Sequence, residues 1–297
     1  MDNVADLVKE LRQRNAMKVM IQLPEGLKVR TAEMAERLGK EGIVAVFSGD
    51  ASYGACDLKG EEAKEAGCDL LVHVGHNKFY RSFDTVVPVL YFPWIFDVSM
   101  ENVDFSPIKE KRIGIVTNIQ HLHLMEEVKK KIEKTGVSVL IGGQVLGCWT
   151  ANAVKIENSV DCFLFIGSGV FHSLALKTEK PVYVMDMERN RVEKADLALM
   201  EKRRYAQIFS ARDARTFCVL VSTKKGQDNL IGNAERIRQD IEKRGKSAFV
   251  MIMDEITDNK LRGIRADAFI NTACPRLLDD TWHKPFVNAT DVEKIFE

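Results

Sequence analysis

Three cysteines in this chain stand where chemistry could use them. Cys56, Cys148 and Cys274 each follow an apolar run and lie among small residues or proline, in GDASYGACD (Gly49 to Asp57), QVLGC (Gln144 to Cys148) and NTACPR (Asn271 to Arg276). A small-residue loop leaving a buried strand puts its side chains at the carboxyl edge of a sheet, where open α/β folds bind their ligands. Three thiolates brought to a shared point suit iron–sulfur chemistry, since soft donors select zinc or such clusters. Structural zinc takes four ligands, and the local CxxC spacing common to its sites is absent. A cubane held by three cysteines would keep one iron open for a substrate. The competing reading is three small buried side chains, because neither CxxxCxxC nor any other local cluster motif ties them together.

The remaining cysteines, Cys68, Cys162 and Cys218, sit at or inside strand starts in GCDLLVHV, VDCFLFIG and TFCVLVS, and read as core residues. His73 and His76 end an apolar run, and His172 follows Gly167-Ser168-Gly169, whose N–H groups could hold a carboxylate or phosphate. A hydrogen-bonded strand end explains a lone histidine, and a tight turn explains a lone GSG, about as well. Gln22 and Glu25, in QLPEG, follow the first strand and bring an acid that could grip an amine; proline and glutamate equally suit a helix N-terminus. Asp50, Tyr53 and Asp57 flank the first cysteine, where turn chemistry alone would account for the aspartates.

The elements that must position these residues repeat along the chain. Apolar runs at Lys18 to Pro24, Ile43 to Phe47, Asp69 to Val74 and Val86 to Phe92 alternate with helical spacing, the pattern of a parallel sheet with helical cover. The pattern restarts at Arg112: an offset of 92 maps Cys56 onto Cys148, Asp69 onto Asp161, Gly75 onto Gly167 and Phe79 onto Phe171 without a gap. A weaker third copy begins at Thr216, and aligning Asp267 with Asp161 puts Cys274 over Ser168 and His76, at a neighbouring strand end. The expected fold is α/β, with three similar domains (1–100, 101–207 and 208–297), each a small parallel sheet with flanking helices, arranged around a central cluster site. Glu188 to Arg215 reads as a long charged helix and linker attached to the second domain.

Of 297 residues 45% are apolar and 29% charged, with zero formal net charge, so the surplus of Lys and Arg that nucleic-acid binding needs is absent. Neither a secretory h-region nor an apolar run of roughly 18 residues is present, which predicts a cytoplasmic protein without a membrane partner. Six cysteines in a reducing compartment are then not expected as disulfides.

Taken together, QLPEGL (Gln22 to Leu27), GDASYGACD, HVGH (His73 to His76), GxxxFH (Gly167 to His172) and NTACPR resemble the diphthamide-biosynthesis radical enzymes, the archaeal homodimeric relatives of the eukaryotic diphthamide synthase subunits. The resemblance covers nearly the whole chain. It implies a [4Fe–4S] cluster held by Cys56, Cys148 and Cys274, with S-adenosylmethionine bound at the open iron. It also implies reductive cleavage between sulfur and the γ-carbon, transfer of 3-amino-3-carboxypropyl to C2 of a histidine on translation elongation factor 2, and release of 5′-methylthioadenosine. A homodimer and an external electron donor follow from the same resemblance. Gln22, Glu25, Asp50, Tyr53, His76, Gly167, Ser168, Gly169 and His172 are the candidate contacts to S-adenosylmethionine. Two alternatives stand beside it: a quinolinate-synthase-like dehydratase with a cluster as Lewis acid, and a non-catalytic electron-transfer subunit.

Overall fold

A computed structural model describes residues 2–78, 84–96, 98, 100, 103–146, 149–167, 175–176, 178–227 and 230–297. Three sheets share one strand order. The first comprises β1 (Lys18–Gln22), β2 (Val44–Phe47), β3 (Leu70–Val74) and β4 (Val89–Phe92), ordered β2-β1-β3-β4 and parallel throughout. The second repeats it with β5 (Arg112–Thr117), β6 (Ser138–Gln144), β7 (Cys162–Ile166) and β8 (Val182–Asp186), then adds β9 (Arg191–Lys194) antiparallel to β8. The third is β10 (Thr216–Ser222), β11 (Ser247–Met253), β12 (Ala268–Asn271) and β13 (Phe286–Asn288), again ordered β11-β10-β12-β13 and parallel. This is the α/β architecture the sequence predicts.

Strands three of each sheet, LLVHV, CFLFI and AFIN, are buried at every position, as continuous apolar runs covered on both faces must be. The aspartates that anchor the repeat have a structural reason. Asp69 accepts the backbone N–H groups of Met17 and Lys18 at 2.9 Å each, and Asp267 those of Arg215 and Thr216 at 3.0 and 2.9 Å. Asp161 accepts from Arg112 N at 3.1 Å and from its guanidinium. Each carboxylate, just before the third strand, ties down the entry to the first.

The helices are α1 (Asn3–Gln13), α2 (Thr31–Lys40), α3 (Gly60–Glu65), α4 (Met125–Glu133), α5 (Ala151–Ile156), α6 (Leu197–Ala211), α7 (Leu230–Lys243) and α8 (Asp258–Leu261). Val4, Leu7 and Leu11 of α1 and Met125, Val128 and Ile132 of α4 recur at helical spacing and bury one face against their sheets. The charged stretch 188–215 departs from expectation, since it contains β9 before the helix. Nor does α6 side with the second sheet. Ile208 and Ala211 enter the core of the third, Arg204 Nε donates to Asp291 at 2.7 Å, and Gln207 Oε1 accepts from Phe286 N at 3.0 Å. The division expected at 207/208 lies inside this helix.

In the order 2-1-3-4 the connections leaving strands one and three run to opposite sides, so a crevice opens at their carboxyl ends. The first sheet meets both others at that edge. Gln120 Nε2 donates to Gly75 O, and Asn77 Nδ2 to Gln144 Oε1 at 2.7 Å. Toward the third sheet, Gly226 N–H donates to Cys56 O at 3.0 Å.

Candidate functional site

Cys56 ends a turn in which Asp57 N–H returns to Gly54 O at 2.9 Å. Its loop is clamped from two sides. Gln22, at the end of β1 and fully buried, donates from Nε2 to Asp57 O at 2.7 Å. From the third sheet, the loop after β10 lies so close that a Cβ on Gly226 would fall 2.3 Å from Cys56 Cα. The next residue, Gln227, places its side-chain nitrogen 3.9 Å from Cys56 Sγ.

Cys274 follows β12 and caps a short 3₁₀ turn that starts with Pro275. Asn271 holds this corner, donating from Nδ2 to Cys274 O at 2.9 Å and accepting from Ala273 N at 3.0 Å. The two cysteines, from different sheets, come near enough for their charges to oppose one another. Burial first, and then Cys274, push the Cys56 thiol up to about 11. A soft metal centre would reverse that cost, since coordination deprotonates thiols outright. The donor set therefore fits an iron–sulfur cluster. Among the described residues no trio of His, Cys, Asp or Glu converges to hold a metal, and Cys148 lies outside the described residues. Beside it, Leu146 and Trp149 exchange backbone hydrogen bonds at 2.8 and 3.1 Å just past β6.

Cys68, Cys162 and Cys218 are in the core. Burial pushes the thiols of Cys162 and Cys218 up to about 12, which suits inert packing residues.

Tyr53 lines a small cavity with Lys224, Gln227, Asp254, Cys274 and Arg276. Its ring lies 5.3 Å from the Arg276 guanidinium and 5.5 Å from Lys224 Nζ, and its hydroxyl donates to Glu255 at 3.3 Å. Asp50 is exposed and pairs with Lys59 at 3.1 Å. Burial works against the Lys59 ammonium, but Asp50, Asp254 and Glu62 outweigh it and raise its pKa. Glu25 points to solvent and pairs with Lys28 at 2.6 Å. Ser168, Gly169 and His172 lie outside the described residues. Gly167 has φ +153°, and a Cβ there would come 2.8 Å from the Phe165 ring and 3.3 Å from Asn118 Nδ2, so glycine is required where that backbone passes Asn118.

A polar wall runs along the junction of the first two sheets. The rings of His73 and His76 lie with centres 5.0 Å apart, tilted by 30°. Burial holds His73 well below the ordinary imidazole range and His76 near 4, so both are neutral. His73 Nε2, His76 Nδ1, Asn118 Oδ1, Gln120 Oε1 and His121 Nδ1 are buried and find no hydrogen-bond partner among the described residues. Orphaned polar atoms at this density mark a place built to receive a polar ligand or water.

Sequence reasoning missed Lys59, Lys224, Gly226 and Gln227. The last three belong to the loop after the third sheet's first strand, equivalent to QLPEG in the first. That equivalence was the available signal.

Fold and site define a protein whose cysteines are presented from the carboxyl edges of separate, equivalent α/β sheets, an arrangement suited to a shared metal cluster. A family model described as putative diphthamide synthesis protein matches residues 23–297. The 2-(3-amino-3-carboxypropyl)histidine synthase of Pyrococcus horikoshii is 36% identical over 308 residues, covering 97% of this chain and 88% of that protein. Subunit 1 of the Caenorhabditis elegans synthase is 28% identical, covering 95% of this chain and 76% of that protein. The crystal structure of Dph2 from P. horikoshii has a TM-score of 0.87 and 36% identity, covering 98% of this chain and 89% of that one. The same protein with a 4Fe-4S cluster gives 0.86. The chain belongs to the diphthamide synthesis protein family and is a transferase, which sets the dehydratase alternative aside. Among the described residues no helix is long and apolar enough to cross a membrane.

Proposed function

We propose that this chain carries out the first step of diphthamide synthesis. It transfers the 3-amino-3-carboxypropyl group of S-adenosylmethionine to C2 of a histidine on translation elongation factor 2, and 5′-methylthioadenosine leaves. The supporting observation is the approach of Cys56 and Cys274 from different sheets, in a chain that aligns almost end to end with a relative whose crystal structure holds a 4Fe-4S cluster. Cys56, Cys148 and Cys274 would hold the cluster, which supplies the electron for reductive cleavage and an open iron for the substrate.

The protein's own task is to aim the γ-carbon rather than the 5′-carbon at that iron, a matter of positioning. Tyr53 and the cavity beside Cys274 form one wall. The neutral His73–His76 pair and the unpartnered oxygens of Asn118 and Gln120 form another, able to orient polar groups without adding charge. The working form is a cytoplasmic homodimer supplied by an external electron donor.

The test is an anaerobic assay of the reconstituted, dithionite-reduced chain with S-adenosylmethionine, following 5′-methylthioadenosine and mass gain on elongation factor 2. Product of both kinds is expected. Release of 5′-deoxyadenosine instead, or no cleavage by a chain that holds its cluster, would overturn the reading.

A further inference from the structure

Where the first and third sheets meet, two nearly buried lysines make the joint. Lys224 Nζ, just past β10, lies 2.8 Å from Asp57 Oδ1, and the two side chains are only 7% and 3% exposed. Lys59 reaches the opposite way, from the first sheet to Asp254 Oδ2 of the third at 3.3 Å, while holding Asp50 at 3.1 Å and Glu62 at 3.3 Å in its own. Asp254 Oδ1 also lies 3.8 Å from Lys224, so one carboxylate of the third sheet stands beside both lysines. Outside them, Lys225 pairs with Glu61 at 2.8 Å. The backbone of Cys56 passes through this joint, held by Gly226 N–H.

We propose that Lys224 and Lys59 are positioning residues that fasten the Cys56 loop to the third sheet, so that Cys56 and Cys274 present their sulfurs to one cluster. The inference rests on the cluster assignment made above. Ion pairs suit the task because they fix register. An apolar surface tolerates sliding, whereas a slipped loop would leave a buried ammonium or carboxylate without its partner. Two crossings in opposite senses, Lys224 to Asp57 and Lys59 to Asp254, mean that one displacement of the loop strains both. Lys59 acts through the loop, and Lys224, which also lines the cavity beside Cys274, is assigned the same fastening role by its pairing with Asp57.

The experiment compares Lys224→Met, Lys59→Met, Lys224→Arg and the double variant Lys224→Met/Asp57→Asn in the full chain. The readouts are the alkylation rates of Cys56 and Cys162 in metal-free protein, its urea midpoint, and the iron content and electron paramagnetic resonance spectrum after anaerobic reconstitution. Cys56 should alkylate about tenfold faster in both methionine variants, with Cys162 still protected. Iron content should fall and the spectrum broaden. Lys224→Arg should stay near wild type, and the double variant should regain stability without regaining Cys56 protection. Unchanged Cys56 alkylation and iron content in both methionine variants would overturn the proposal. So would parallel exposure of Cys162, which reports general unfolding. If Lys224→Met does not fold, Lys59→Met and the double variant decide. A wild-type chain that took up no cluster would sink the cluster assignment, while the alkylation arm still judged the joint.

Discussion

Gln22 Oε1 lies 3.2 Å from His73 Nδ1, while the same side chain donates from Nε2 to Asp57 O at 2.7 Å. A carbonyl oxygen only accepts, so Nδ1 carries the proton and the unpartnered Nε2 of His73 is left as an acceptor. One buried amide thus joins β1, β3 and the cysteine loop, and sets the face His73 turns to a ligand.

Gln22→Leu keeps the volume but strands the Asp57 carbonyl and the His73 N–H. The expected cost is about 1–3 kcal/mol, read as a lower urea midpoint with an unchanged slope. Iron retention should fall in parallel, because the cut hydrogen bond is the one behind Cys56. A midpoint within error of wild type would show that the amide is dispensable.

Gly226→Ala tests the closest approach in the site. The added methyl would meet Cys56 Cα and its carbonyl oxygen at 2.3 and 2.8 Å, all backbone, so the loop itself must move. Overpacking of this kind costs about 1–3 kcal/mol, and the displacement should lower reconstituted iron severalfold. Gly39→Ala, where nothing lies within 4 Å of the added Cβ, is the control and should gain or lose little.

How far the sequence revealed this site follows from what each feature depends on. Buried parallel strands are continuous apolar runs, so LLVHV, CFLFI and TFCVLVS were legible, and the offset between Cys56 and Cys148 exposed the repeat. The strand β9, RVEK, is a short edge strand with one buried residue, and its charges made it look like linker. The allegiance of α6 was hidden because Arg204–Asp291 joins residues far apart in sequence. For the same reason nothing in the sequence singles out Lys224-Lys225-Gly226. Only the partner across the crevice shows that Lys224 is buried and paired.

Stability should decline as pH falls below neutrality. Burial, aided by His123, holds His121 near 4, and burial alone holds His76 there. The ordinary imidazole value is 6.5. Between those limits the unfolded chain binds protons that the folded chain refuses. The contribution is therefore intact above 6.5 and is lost as pH falls toward 4, by about 2 kcal/mol per histidine between pH 7 and 5. Carboxylates such as Asp161, held below the usual range by Arg112, act only at still lower pH. His73 is likewise held well below the ordinary imidazole value by burial, so urea midpoints at pH 7 and 5 should differ, and His121→Phe should shrink the difference by about a third. A pH-independent midpoint across that range would rule out buried neutral histidines.

The cysteines separate into two groups by position, and alanine substitution should separate them by effect. Cys56 and Cys274 stand at carboxyl edges, and Cys274 helps raise the Cys56 thiol, whereas Cys162 is fully buried in the core that includes Ile113 and Leu164. If the first two ligate a shared cluster, removing either leaves it too few sulfurs, and anaerobic iron and sulfide content should collapse in Cys56→Ala and Cys274→Ala alike. Cys148→Ala should behave in the same way. Cys162→Ala removes only a small buried atom, at about 1 kcal/mol, and should keep its iron while melting a few degrees lower. The apo protein gives an independent reading. With Cys274 gone, the charge opposing Cys56 is gone as well, so the Cys56 thiol should titrate below its value of about 11 and alkylate faster at pH 9. Equal iron loss in all four variants, or in none, would refute the division between ligands and core residues.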